Sequence, residues 1–194
     1  MENTLLVGDF LLVNKMVYGA EIPGTDLELP AFTKPSRADV IVFEPPDAAK
    51  QPPNTNYVKR IVGVPGDTLL MHRSTLHVNG HSIDEPYARM ARYFGGAPNL
   101  NFTWQKEYLT GEARGQSYRP TRDNWGPIVV PPDNYFVMGD NRANSEDSRY
   151  WGFVPEDAIR GRPLVVYYSY DRRSPGTLPW ITEIRWDRVF RKIH

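Results

Sequence analysis

The feature that most constrains this chain is its punctuation. Eighteen prolines and fifteen glycines are spread through 194 residues and cut the apolar runs too short for helices of ordinary length. Between the breaks, short runs rich in Val, Ile, Tyr and Phe recur, with no long amphipathic stretch of helical period. The expectation is a mostly β fold, with strands at 5–7, 10–14, 39–43, 56–62, 67–72, 75–78, 135–138, 162–168 and 184–190. Turns are expected at Pro65-Gly66, Asn79-Gly80 and Gly139-Asp140. Asn79-Gly80 supplies the two positive-φ positions of a type I′ turn, so residues 75–83 form the clearest hairpin. Pro155 opens a short helix ending at 159. Residues 44–53 read as an exposed proline-rich loop.

The chain reads as a single domain, 1–194, with an inserted cap or subdomain at about 73–127. Its least regular part, 85–127, is rich in Tyr, Arg, Gly, Asn and Trp and shows little alternation. Lys+Arg and Asp+Glu are both 23, a formal net charge of +0, so nothing electrostatic points to a nucleic-acid partner. The absence of cysteine removes disulfides, thiolate nucleophiles and thiolate metal sites. His72, His77, His81 and His194 form no ligand pattern, and neither metal nor cofactor is expected. No apolar run approaches the roughly 18 residues that cross a bilayer. No basic segment followed by an apolar one opens a secretory signal, and the start at an apolar segment suggests that an upstream portion is missing.

Two segments place ionisable groups where a sheet is otherwise apolar. In a strand at 56–62, Tyr57, Lys59 and Ile61 share one face, while Val58, Arg60 and Val62 share the other. Near neutral pH only about one ordinary lysine in a thousand is uncharged, so Lys59 becomes a base only if burial lowers its pKa. The alternative is a stem lying on the sheet with its amine in water. The second segment, 139–155, repeats Asp-x-Arg at 140–142 and 147–149. Such a loop can be fixed by carboxylate–guanidinium pairs, whether for chemistry or only for structure.

Three strings occur in order: Met1-Glu2-Asn3-Thr4-Leu5-Leu6-Val7-Gly8-Asp9, then Lys59-Arg60-Ile61-Val62-Gly63-Val64-Pro65-Gly66-Asp67, then Gly139-Asp140-Asn141-Arg142 with Ser145 and Asp147-Ser148-Arg149. Together they resemble the sequence boxes of bacterial type I signal peptidases, across nearly the whole chain. The resemblance implies a Ser-Lys peptidase fold of coiled antiparallel sheets with a small inserted β subdomain. It implies a monomeric, membrane-anchored endopeptidase, its catalytic domain on the periplasmic or outer face of the cytoplasmic membrane. The enzyme removes signal peptides from exported preproteins after a small-x-small motif, usually Ala-x-Ala. No cofactor is implied; the partners are signal peptides and the membrane surface. By position Lys59 is the general base and Ser145 orients its amine. Arg60 with Asp140, and Asp147 with Arg149, hold the site together, while Met1, Leu5, Val42, Tyr57 and Val58 form shallow walls for the small side chains.

One departure is large. The family's first box reads Ser-Met-x-Pro-Thr-Leu, so the nucleophilic serine falls immediately before Met1, and Asn3 stands where the proline is usual. Residues 1–194 alone are expected to be inactive, through truncation or through natural loss of the nucleophile. The other readings are a non-catalytic module that binds extended peptides by strand addition, a membrane-surface domain using Trp180, Ile181, Trp186 and Phe190, and a self-cleaving repressor-type peptidase. The last is disfavoured because the chain has no DNA-binding helix-turn-helix.

Overall fold

The structure, a computed structural model, describes residues 1, 4–21, 28–29, 31–46, 49, 52, 55–90, 97–115, 117–174 and 177–193. In chain order the strands are β1 (Asp9–Asn14), β2 (Ala20–Glu21), β3 (Glu28–Leu29), β4 (Val40–Phe43), β5 (Tyr57–Gly63) and β6 (Thr68–His72). They continue with β7 (Thr75–Val78), β8 (His81–Ser82), β9 (Trp125–Val129), β10 (Asn134–Met138), β11 (Val154–Pro155) and β12 (Ile159–Ser169). Two single-turn helices, α1 (Ser148–Trp151) and α2 (Pro179–Thr182), and several 3-10 turns complete the described residues.

The strands form antiparallel sheets, as expected. A six-stranded sheet runs β1-β12-β4-β5-β10-β11, a four-stranded sheet runs β8-β7-β6-β9, and β2-β3 make a ribbon. β4 is Val-Ile-Val-Phe with every residue buried, which suits a strand between β12 and β5 with both faces covered. Ile41 and Phe43 enter a core with Ile61, Tyr135, Val137 and Val154. On the opposite face Val40 joins Leu5, Val166 and Ile193. A third core, containing Leu69, Leu76, Trp125, Ile128 and Phe136, lies between the two larger sheets.

Turn chemistry sets the junction between the sheets. Val64 to Asp67 is a β-turn with Pro65 and a positive-φ Gly66 at its centre, and Asp67 N–H donates to Val64 O at 3.0 Å. Asn79 (φ 53°) and Gly80 (φ 84°) make the type I′ hairpin between β7 and β8.

Three expectations need correction. Residues 5–7 are not a strand: Thr4 and Leu5 N–H both donate to Met1 O, Leu6 N–H is taken by the Asp9 carboxylate, and Gly8 turns the chain at φ 101°. Residues 184–190 are not a strand either. Trp186–Arg188 is a 3-10 turn that aims Arg188 inward at Asp9, breaking the alternation. Within 85–127, Trp125–Val129 pairs with β6 although Gly126-Pro127 reads as a breaker. Its position at the sheet edge accommodates a proline without an N–H.

Candidate active site

Lys59 is the third residue of β5, between β4 and β10, with Ile41 directly across from it. Its Nζ donates to Ser145 Oγ at 3.2 Å and lies 5.5 Å from the centre of the Tyr57 ring. Burial is the main influence on this amine and drives its pKa below the usual lysine value. Asp147, Glu146 and Asp140 act in the opposite direction without overcoming it. The sequence left open whether Lys59 is buried or reaches into water; the geometry is that of a largely desolvated amine.

Ser145 is 7% exposed and follows the 3-10 turn Arg142–Asn144. Gly139, immediately after β10, lies over it: a Cβ there would fall 2.3 Å from Ser145 Oγ and 3.7 Å from Lys59 Nζ. Ser145 is therefore covered by backbone and faces the lysine.

Two of the three carboxylates that act on the lysine, Asp140 and Asp147, each have a guanidinium. Arg60, 2% exposed, sets Nε and Nη2 on the two Asp140 oxygens, each at 2.9 Å, and its third nitrogen on Ala38 O at 2.8 Å. The Tyr87 ring lies 3.9 Å from that guanidinium. Arg149 sets Nε and Nη2 on Asp147 at 2.7 and 2.8 Å. Burial alone would raise the Asp147 carboxyl; Arg149 and the Gly139 N–H, which donates to it at 3.1 Å, hold it below the ordinary range. Arg149, paired with Asp147, also acts on Lys59 in the same direction as burial.

The N-terminal turn is tied to this centre. The Thr4 hydroxyl donates to the Asp140 carboxylate, placing Thr4 one residue from Gly139 by contact. Met1, Leu5 and Val58 meet in one apolar cluster, and Val42 pairs with Val58 across β4 and β5. Tyr57 belongs to the other face with Lys59 and Phe43. The five expected wall residues thus divide between the two faces of β5.

Other supporting contacts were not foreseen. Arg142 forms a fork with Glu85 at 2.6 and 2.5 Å, and Ser148 Oγ accepts Val137 N–H at 2.9 Å. Asp9 accepts Arg188 at 3.0 and 2.6 Å, and Arg188 also donates to Thr4 O at 3.1 Å. The repeated Asp-x-Arg spacing marked Arg142, but nothing in sequence links Glu85 or Arg188 to partners 57 and 179 residues away. Among the described residues no group of three His, Asp or Glu side chains is placed to hold a metal.

The family described as "Signal peptidase, peptidase S26" matches residues 1–168. Signal peptidase I of Pseudomonas aeruginosa is 36% identical over 198 residues, covering 92% of this chain and 65% of that protein. Signal peptidase I of Buchnera aphidicola subsp. Acyrthosiphon pisum is 33% identical over 229 residues, covering 97% of this chain and 71% of that protein. A crystal structure of a signal peptidase I from Enterococcus faecalis V583 has 30% sequence identity and covers 68% of this chain and 98% of its own, with a TM-score of 0.43. The chain thus spans about two thirds of the length of these curated relatives.

Proposed function

Because the chain belongs to the signal peptidase S26 family, we propose that it is the catalytic domain of a Ser-Lys endopeptidase that removes signal peptides from exported preproteins. The observation that carries this reading is the largely desolvated Lys59 amine, hydrogen-bonded to Ser145 while Asp140 and Asp147 are paired with Arg60 and Arg149.

The nucleophile in this reading is a serine immediately before Met1, carried on the turn that Thr4 ties to Asp140. Neutral Lys59 takes the serine proton as the oxygen attacks the scissile carbonyl, and the resulting ammonium gives that proton to the departing amine. The signal peptide is left as an ester on the serine. Lys59, neutral again, deprotonates a water that cleaves the ester, and the lysine then returns the proton to the serine oxygen. Ser145 holds the amine in line throughout.

The substrate is an extended segment whose small side chains, in an Ala-x-Ala pattern, lie against the walls that share one face of β5, Met1, Leu5, Val42 and Val58. The protein acts as a monomer on the periplasmic or outer face of the cytoplasmic membrane. Exposed Trp180, Ile181, Trp186 and Phe190, each more than half exposed, support contact with the bilayer surface. No helix among the described residues is long and apolar enough to cross a membrane.

The test is cleavage of a peptide spanning an Ala-x-Ala site by residues 1–194 and by the same chain with a serine added before Met1. Turnover by the serine-bearing chain and its absence in the Lys59→Ala form of that chain are expected. Saturable binding without turnover by either chain would instead identify a peptide-binding module.

A further inference from the structure

A cavity of about 340 Å³, lined by Leu6, Val7, Arg89, Asp171, Arg173 and Arg185, opens beside the turn that carries Thr4. Three guanidiniums share it with one carboxylate, in a chain whose overall formal charge is +0. Arg185 is partly committed: it donates to Val7 O at 3.1 Å and meets Asp171 at 3.1 Å. The side chains of Arg89 and Arg173 have no ion pair or hydrogen bond among the described residues, although Arg173, by its backbone N–H and by its nearby charge, helps hold the Asp171 carboxyl below the ordinary value. Solvated free guanidiniums on a surface need no explanation. Two whose donors are not used by the protein, sharing a concave site with a third, are the arrangement that takes the oxygens of a phosphate in forked hydrogen bonds.

The surroundings indicate which phosphate. Val7, in the lining, is 53% exposed. Tyr170, immediately before Asp171, stacks on exposed Phe10 with ring centres 6.0 Å apart, and Tyr168 donates to Trp180 O. Arg185 precedes Trp186, which is 73% exposed. A cationic cavity with exposed Val7 in its lining, and with aromatic residues next in sequence to its Asp171 and Arg185, matches an anionic headgroup above acyl chains better than it matches a free ion in water.

We infer that this cavity binds the headgroup phosphate of an anionic phospholipid through Arg89, Arg173 and Arg185, an inference that rests on the membrane-surface reading above. The site is also joined to the catalytic loop. Arg89 N–H donates to Asp140 O at 2.7 Å, and Arg142 N–H donates to Arg89 O at 2.9 Å. A lipid held here therefore bears on the N-terminal turn and the Asp140 loop together, and it fixes the orientation of the site toward the bilayer.

The experiment is co-sedimentation of the chain with vesicles of phosphatidylcholine alone and of phosphatidylcholine with phosphatidylglycerol. The chain should prefer the anionic vesicles by about tenfold or more, and Arg89→Gln/Arg173→Gln should reduce that preference to about threefold or less while leaving binding to neutral vesicles unchanged. Arg191→Gln/Lys192→Gln, which removes equal charge outside the cavity, should keep most of the preference. Equal losses in both double variants would mean diffuse surface charge and overturn the site. A chain that binds no vesicle refutes the membrane reading itself. Calorimetry with glycerol phosphate then decides the cavity separately: binding abolished by Arg89→Gln/Arg173→Gln makes it a site for a soluble phosphate, and no binding refutes it altogether. Either result overturns the lipid assignment.

Discussion

Gly139 lies so close over Ser145 that a Cβ added to it would meet Ser145 Oγ at 2.3 Å and Ser145 Cβ at 2.8 Å. Contact, and not backbone conformation, makes this position a glycine. Gly139→Ala in the serine-bearing chain should lower kcat by about 10²-fold or more through displacement of Ser145 from the lysine. Gly139→Ala/Ser145→Gly should recover the thermal stability lost in the single variant but not its activity, as melting curves and peptide kinetics would show.

Ser145→Ala removes the hydrogen-bond partner of the amine at 3.2 Å. Its expected cost in stability is only about 1 kcal/mol. Its cost in kcat should be about 10²-fold with KM little changed if, as proposed, the residue positions the base without touching the peptide. Complete loss of activity, with a covalent inhibitor attached to Ser145 in the parent chain, would make Ser145 the nucleophile instead.

The Arg60–Asp140 pair is buried on both sides, at 2% and 0% side-chain exposure. Removing one partner strands the other charge, so Asp140→Ala should destabilise by about 3–5 kcal/mol in urea unfolding. Thr4→Val, which removes one hydroxyl from the same carboxylate, should cost about 1 kcal/mol. A cost for Asp140→Ala no larger than that for Thr4→Val would remove the pair from its central place.

Lys59 also has a consequence for stability. Its folded pKa is depressed below 10.5, chiefly by burial, so between the folded value and 10.5 the unfolded chain binds more protons than the folded one. Stability must then rise with pH through that window, and the penalty is fully present below it. Lys59→Met should be more stable than the parent chain at pH 7, with the difference shrinking as pH approaches 10.5. Urea unfolding at a series of pH values reads this directly; a difference independent of pH would contradict it.

Much of the site was legible because its parts lie in strands and turns with strong local signals. The β5 alternation put Lys59 and Tyr57 on one face, and Asn79-Gly80 and Pro65-Gly66 set their turns. The resemblance singled out Ser145 and both Asp–Arg pairs, which the geometry brings together. What was not legible depends on particular hydrogen bonds, some local and some long-range, that composition does not show. Leu5 to Val7 has strand composition, but Met1 O, Asp9 and Gly8 fold it into a turn. Residues 184–190 lose strand form because Arg188 is drawn to Asp9. The division of Met1, Leu5, Val42 and Val58 from Tyr57 followed from the alternation itself, yet treating the residues as one set of walls obscured it.

The most direct test of the account is an NMR titration of the Lys59 side chain in 13Cε-lysine-labelled protein, its signal assigned by comparison with Lys59→Arg. The account predicts that Lys59 titrates below 10.5 and below the exposed lysines, and that the acid limb of kcat/KM in the serine-bearing chain follows the same transition. A Lys59 that titrates with the exposed lysines, at or above 10.5, would leave the site without its base and contradict the mechanism.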